Sequence, residues 1–108
     1  MDHPHQAWLA EASQAPDALF RALSDPIRRR LLEELVAGPA GAGELSRRPA
    51  TPRVNISHHL GVLAAAGVVE QRQRRAMVRP EALTRLRRYF DLALTSAAIN
   101  RPDRLLRT

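Results

Sequence analysis

Histidine and arginine supply most of the chemistry this chain can perform. Histidine occurs four times, at His3, His5, His58 and His59, and cysteine is absent. Without a thiol there is no disulfide, no thiolate metal site and no thiol redox sensing. His58 and His59 are neighbours, and on a helix neighbours point about 100° apart, so they do not converge on one site. No glycine-framed serine accompanies them, and no acid is placed to orient an imidazole, so an enzyme is not expected. Met1-Asp2-His3 offers an amine, two amides and a third-position imidazole. That set can hold Cu(II) or Ni(II) in a square plane, although such tripeptides also arise by chance. What remains is recognition of a polyanion. All seventeen cationic side chains are Arg, and the net charge is +6. Arginine forms bidentate bonds to phosphate and to guanine edges.

The stretch Thr51–Glu70 has to position the most useful of these residues. Ile56, Leu60 and Leu63 repeat at i, i+4 and i+7, one apolar helical stripe. Thr51 is expected to cap this helix, Pro52 to take its first position and Gly67 to end it. The opposite face then carries Val54, Asn55, Ser57, His58 and Gly61, small or hydrogen-bonding residues with no acid among them. Such a face near a helix N-terminus fits the DNA major groove. Arg53 starts the same helix and leans toward its flank.

Around this helix the chain reads as mainly helical. Residues 1–15 form an N-terminal extension with Trp8, Leu9 and Ala12 apolar. Asp17–Leu23 is expected to be helical, with Leu19 and Phe20 apolar. Asp25 caps the next helix and Pro26 opens it, with Ile27, Leu31, Leu32 and Leu35 facing the core. Arg28, Arg29 and Arg30 follow the cap, either touching phosphate or pairing with Glu33 and Glu34. Gly38–Gly43 breaks the helix, Glu44–Arg48 forms a short one, and Pro49–Pro52 is the turn into the next, a helix-turn-helix order. Val68–Arg72 and Arg75–Val78 read as two strands joined at Gln73-Arg74. Pro80 opens a final helix to about residue 98, with Leu83, Leu86, Phe90, Leu94 and Ala97 as its stripe, joined by Tyr89 and Ala93. Residues 99–108 are expected to fray.

The string ISHHLGVL with the AGVV that follows resembles the recognition helix of the ArsR/SmtB family of winged-helix transcription regulators. Upstream, LFRALSDPIRRRLLEEL at Leu19–Leu35 resembles that family's opening. The resemblance implies a mainly α winged helix-turn-helix of five to six helices with a small β-hairpin wing, one domain over residues 1–98. It also implies a two-fold homodimer built from Trp8, Leu9, Leu19, Phe20, Leu86, Tyr89, Phe90, Ala93, Leu94 and Ala97. Metal-sensing relatives carry thiolates where this chain has Ser46 and Arg48. Their alternative last-helix histidine site fails because Pro80–Thr108 contains no histidine. The wing is shorter than usual and lacks Gly or Asn at its turn.

The expected function is a sequence-specific, double-stranded-DNA-binding regulator, a dimeric repressor on a pseudo-palindromic operator, with no cofactor and no resident metal. Thr51, Arg53, Val54, Asn55, Ser57 and His58 are the candidate DNA contacts on the helix, with Arg74 and Arg75 at the wing tip. The alternative is a winged-helix protein-interaction module that has lost DNA binding. The 108 residues suffice for one small domain, whose stability a dimer interface would raise. No apolar run is long enough to span a membrane, and no signal pattern opens the chain, so a cytoplasmic location is expected.

Overall fold

The computed structural model describes residues 16–102. Expectations for Trp8, Leu9 and the Met1-Asp2-His3 tripeptide lie outside the described residues. Among the described residues, five helices and one hairpin follow in order: α1 (Asp17–Ala22), α2 (Pro26–Leu35), α3 (Ala42–Ser46), α4 (Ile56–Ala65), β1 (Val69–Arg72), β2 (Arg75–Val78) and α5 (Pro80–Ile99). They divide into two compact units. One is Asp17–Leu83, and the other contains α5 from Thr84 onward.

The core of the first unit is aliphatic. Leu19, Leu31, Leu35, Leu45, Leu63, Val68 and Val69 are fully buried, and Ile56, Leu60 and Ala76 join them. Burying each large side chain contributes about 1.5–3 kcal/mol. The Ile56–Leu60–Leu63 stripe therefore anchors α4 as its period requires. Leu19 belongs to this core within a single chain, at 1% exposure, so it offers no free face for the dimer contact expected of it.

Local chemistry sets most element ends. The Asp25 carboxylate accepts from the Ile27 and Arg28 N–H groups at 2.7 and 3.4 Å, capping α2 with Pro26 at its first position. Partial burial pushes that carboxyl upward, but these two N–H groups and the Arg28 charge outweigh it. The net effect holds Asp25 below the ordinary carboxylate range. At the far end of α4, Gly67 takes a φ of 85°. Its N–H donates to Ala64 and that of Val68 to Leu63, the paired bonds of a Schellman cap.

The hairpin pairs Val69 with Val78 and Arg72 with Arg75, so Gln73 and Arg74 form a two-residue turn. Both have positive φ, 50° and 65°. That is the primed geometry that matches strand twist, adopted here without the Asn or Gly that makes it easy. The hairpin is also bonded to the loop after α2. Ala40 and Ala76 exchange two backbone hydrogen bonds, of 2.8 and 3.0 Å. The Arg74 carbonyl comes so close to Gly41 that a Cβ there would lie 2.7 Å from it. Sequence periodicity placed α3 two residues late. It starts at Ala42 because the Glu44 carboxylate reaches back to accept from the Gly41 N–H at 3.3 Å.

Candidate nucleic-acid interface

The turn into α4 departs from the sequence expectation. The helix begins at Ile56, not at Thr51 or Pro52. It starts only after Arg53 and Val54, with Asn55 at the N-cap in the left-handed region, φ 52°. Asparagine is among the residues that tolerate this conformation best after glycine. Thr51 caps nothing. It is buried at 4% exposure, and its hydroxyl has no hydrogen-bond partner.

An ionic bracket fixes this turn to α2. Glu34 is engaged by Arg30 at 2.7 Å and by Arg48 at 3.1 Å. Arg30 also donates to the Ala50 carbonyl at 3.2 Å, and Arg48 to the Glu34 carbonyl at 3.3 Å. Two elements that meet nowhere in sequence are thus joined just ahead of α4.

Along α4 the residues facing water are Ser57, His58, Gly61 and Ala65, one helical face. Asn55, Val54 and Arg53 extend it as exposed loop residues. Of the predicted contacts, Asn55, Ser57 and His58 come together at the helix start, Arg53 and Val54 flank it, and Thr51 is turned inward. Gly61 is unusual. A Cβ there would meet nothing within 4 Å, so no internal packing demands glycine. Mid-helix glycine costs about 1 kcal/mol relative to alanine. Its use makes sense for a face that another molecule must approach closely.

Beside α4, a groove of about 390 Å³ runs to the wing, lined among others by Ser57, Leu60, Gln71 and Arg74. Arg74 stands at the hairpin turn and has no ion pair or side-chain hydrogen bond among the described residues. Arg75 behaves differently from its expected role. It donates to the Pro39 carbonyl at 2.8 Å and lies 3.5 Å from Glu44, so its guanidinium serves the wing's attachment. Sequence reading overlooked Arg47, the exposed C-cap of α3, whose side chain is as free as those of Arg53 and Arg74. The Arg47-Arg48 pair was visible, but only the turn geometry tells which arginine is tethered. Gln71 was missed too, because alternation in so short a strand does not say which face a groove will occupy.

His59 is buried at 9% exposure, with Nδ1 3.3 Å from Arg28 Nη1, while His58 is exposed. The two rings sit edge-on, 5.4 Å apart. Among the described residues no cluster of three His, Asp or Glu is placed to hold a metal ion. No helix among them is long and apolar enough to cross a membrane.

On α5, Phe90 and Leu94 are exposed at 56% and 69%, and Ala97 is also exposed. Leu86, Tyr89 and Ala93 are half-buried. Tyr89 and Phe90 make an edge-to-face pair at 5.5 Å.

Comparisons with known proteins agree with this geometry. Residues 23–72 match the family described as a helix-turn-helix domain. The chain is 37% identical over 93 residues to the HTH-type transcriptional regulator Rv2034 of Mycobacterium tuberculosis, covering 79% of this chain and 87% of that one. It is 36% identical over 56 residues to the transcriptional repressor SdpR of Bacillus subtilis, covering 52% and 62%. Among solved structures, an ArsR-like transcriptional regulator from Rhodococcus sp. RHA1 superposes with a TM-score of 0.57 at 29% identity, covering 85% of this chain and 94% of that one. A crystallised ArsR family transcriptional regulator reaches 0.62 at 23% identity, over 80% and 92%, a likeness of fold alone.

Proposed function

The chain belongs to the ArsR-type winged helix-turn-helix transcriptional regulators, DNA-binding proteins rather than enzymes, and from that premise we propose that it is a cytoplasmic, dimeric repressor reading a pseudo-palindromic operator. The observation that carries this reading is the face of α4. Asn55, Ser57 and His58 offer hydrogen bonds to base edges, and Gly61 leaves room for close approach. Arg47, Arg53 and Arg74, exposed and without an ion pair or side-chain hydrogen bond among the described residues, are the cations offered to phosphate. Phosphate contacts hold register, and base contacts read sequence. The exposed Phe90 and Leu94 of α5 support a two-fold pairing. Such a pairing sets two recognition helices about 34 Å apart, one turn of DNA. The thiolate positions hold Ser46 and Arg48, and α5 carries no histidine, so Zn(II), Ni(II), Cd(II) and As(III) are expected to leave operator affinity unchanged.

The test starts by selecting an operator from random DNA and comparing its affinity with that of unselected DNA. Alanine is a poor probe at Asn55, because it is also strained at positive φ. Asn55→Gly keeps the conformation and removes only the amide. It should lower the operator-to-random ratio by about 5- to 150-fold, the ~1–3 kcal/mol of one bidentate base contact. An unchanged ratio would exclude Asn55 as a base reader. Failure to select any sequence would favour a protein-interaction module. Light scattering at micromolar concentration should give twice the chain mass, and a monomer would refute the pairing.

A further inference from the structure

Arg28 lies where three helices meet. Its Nε donates to the Ala22 carbonyl at 2.6 Å and its Nη2 to the Arg21 carbonyl at 3.4 Å, at the end of α1. Its Nη1 lies 3.7 Å from the Asp25 carboxylate that caps α2, and 3.3 Å from His59 Nδ1 on α4. The Arg28 side chain is 15% exposed and His59 9%, so little water competes for these contacts. One rigid fork therefore ties the end of α1 and the start of α2 to the helix that carries Ser57 and His58.

The chemistry of the contact fixes a protonation state. A guanidinium only donates, so Nδ1 of His59 must accept and the ring proton sits on Nε2. An imidazolium has two donors and no acceptor. Formed 3.3 Å from Arg28, it loses the bond and faces a like charge. Asp25 on α2 attracts such a charge, but its carboxylate already accepts from two backbone N–H groups and faces Arg28. The α1 face brings the exposed Arg21, another cation, and α4 brings His58 at 5.4 Å.

We propose that Arg28 and His59 form the joint that sets the pose of the recognition helix, and that operator selectivity depends on the contact between them. Arg28 is a positioning residue in this account and touches no DNA. The inference rests on α4 being the base reader.

Two measurements on the full chain test it. Ring ¹⁵N spectra at pH 7.5 should show His59 as the Nε2–H tautomer; an Nδ1–H ring overturns the joint whatever the chain binds. The second measurement is the operator-to-random affinity ratio of variants at the joint. His59→Gln keeps an acceptor toward Arg28 and should preserve the ratio, whereas His59→Leu removes the acceptor and should lower it about tenfold. Arg28→Lys keeps the charge without the fork, and should lower the ratio likewise. A ratio unchanged in both His59→Leu and Arg28→Lys overturns this inference alone. A chain with no sequence preference at pH 7.5 overturns the base-reading assignment along with the selectivity claim.

Discussion

Arg28, Arg29 and Arg30 on α2 and Arg47, Arg53 and Arg74 around α4 are two triplets of one residue type put to opposite uses. On α2 every guanidinium is occupied. Arg28 joins three helices, Arg29 donates to the Leu23 carbonyl at 2.8 Å, and Arg30 holds Glu33, Glu34 and the Ala50 carbonyl. Around α4 the three guanidinium groups have no ion pair or side-chain hydrogen bond among the described residues. The net charge of +6 therefore says less about DNA than it suggests. A cation already bonded within the fold must break those bonds to reach a phosphate, whereas a free one only displaces counterions. The sequence offered phosphate contact or pairing with Glu33 and Glu34 for the α2 run. The structure shows pairing through Arg30, with Arg28 and Arg29 bonded to backbone carbonyls.

The sharpest way to break this contrast is Arg28→Ala. It strips partners from Ala22, Asp25 and His59 together, and should cost about 2–3 kcal/mol of stability. A denaturant melt that did not move would remove Arg28 from the scaffold. Acid should act on the same corner through Asp25. Its folded-state pKa lies below 3.8, so its contribution is complete above that value and is lost as pH falls through the lower, folded one. Asp25→Asn should flatten the acid limb of the stability curve.

The opposite experiment is Arg47→Ala, Arg53→Ala and Arg74→Ala combined. Stability should stay within about 0.5 kcal/mol, while the salt slope of random-DNA binding drops by about 3, nearly one unit per lost phosphate contact. A lowered melting point with an unchanged slope would show that these side chains serve the fold after all.

Thr51→Val should stabilise the chain by about 1 kcal/mol, because the hydroxyl it removes is buried without a partner. A loss instead would show that the hydroxyl is bonded to water. Gly61→Ala sits on the binding side of the contrast. It should gain up to about 1 kcal/mol of stability, the helix-propensity difference, yet weaken operator binding. Gain in both would mean that DNA does not approach this face closely.

What the sequence revealed was local. Asp25-Pro26, Gly67, the Ile56–Leu60–Leu63 stripe and the two strands each depend on residues a few positions apart. The start of α4 was misjudged because Thr51-Pro52 looks like a cap, while the chain buries Thr51 and places the left-handed Asn55 at the N-cap. Among the arginine partners, only the pairing of Arg30 with Glu33 and Glu34, three and four positions on, was legible. Arg28 meets His59 across 31 positions, Arg30 meets Ala50 across 20 and Arg75 meets Pro39 across 36. Composition cannot rank cations by partners so distant.

The Ala40–Ala76 bonds carry a consequence for self-association. They occupy the outer side of β2 at Ala76, which leaves β1 as the hairpin's open edge. Open edges recruit strands from other molecules, and short, charged edges resist this. β1 has four residues, and it carries Glu70 and Arg72 paired at 2.7 Å. A projecting wing can thus stand in water at high concentration without seeding aggregates. Replacing both charges with valine should turn that guarded edge into a site where copies of the chain stick together.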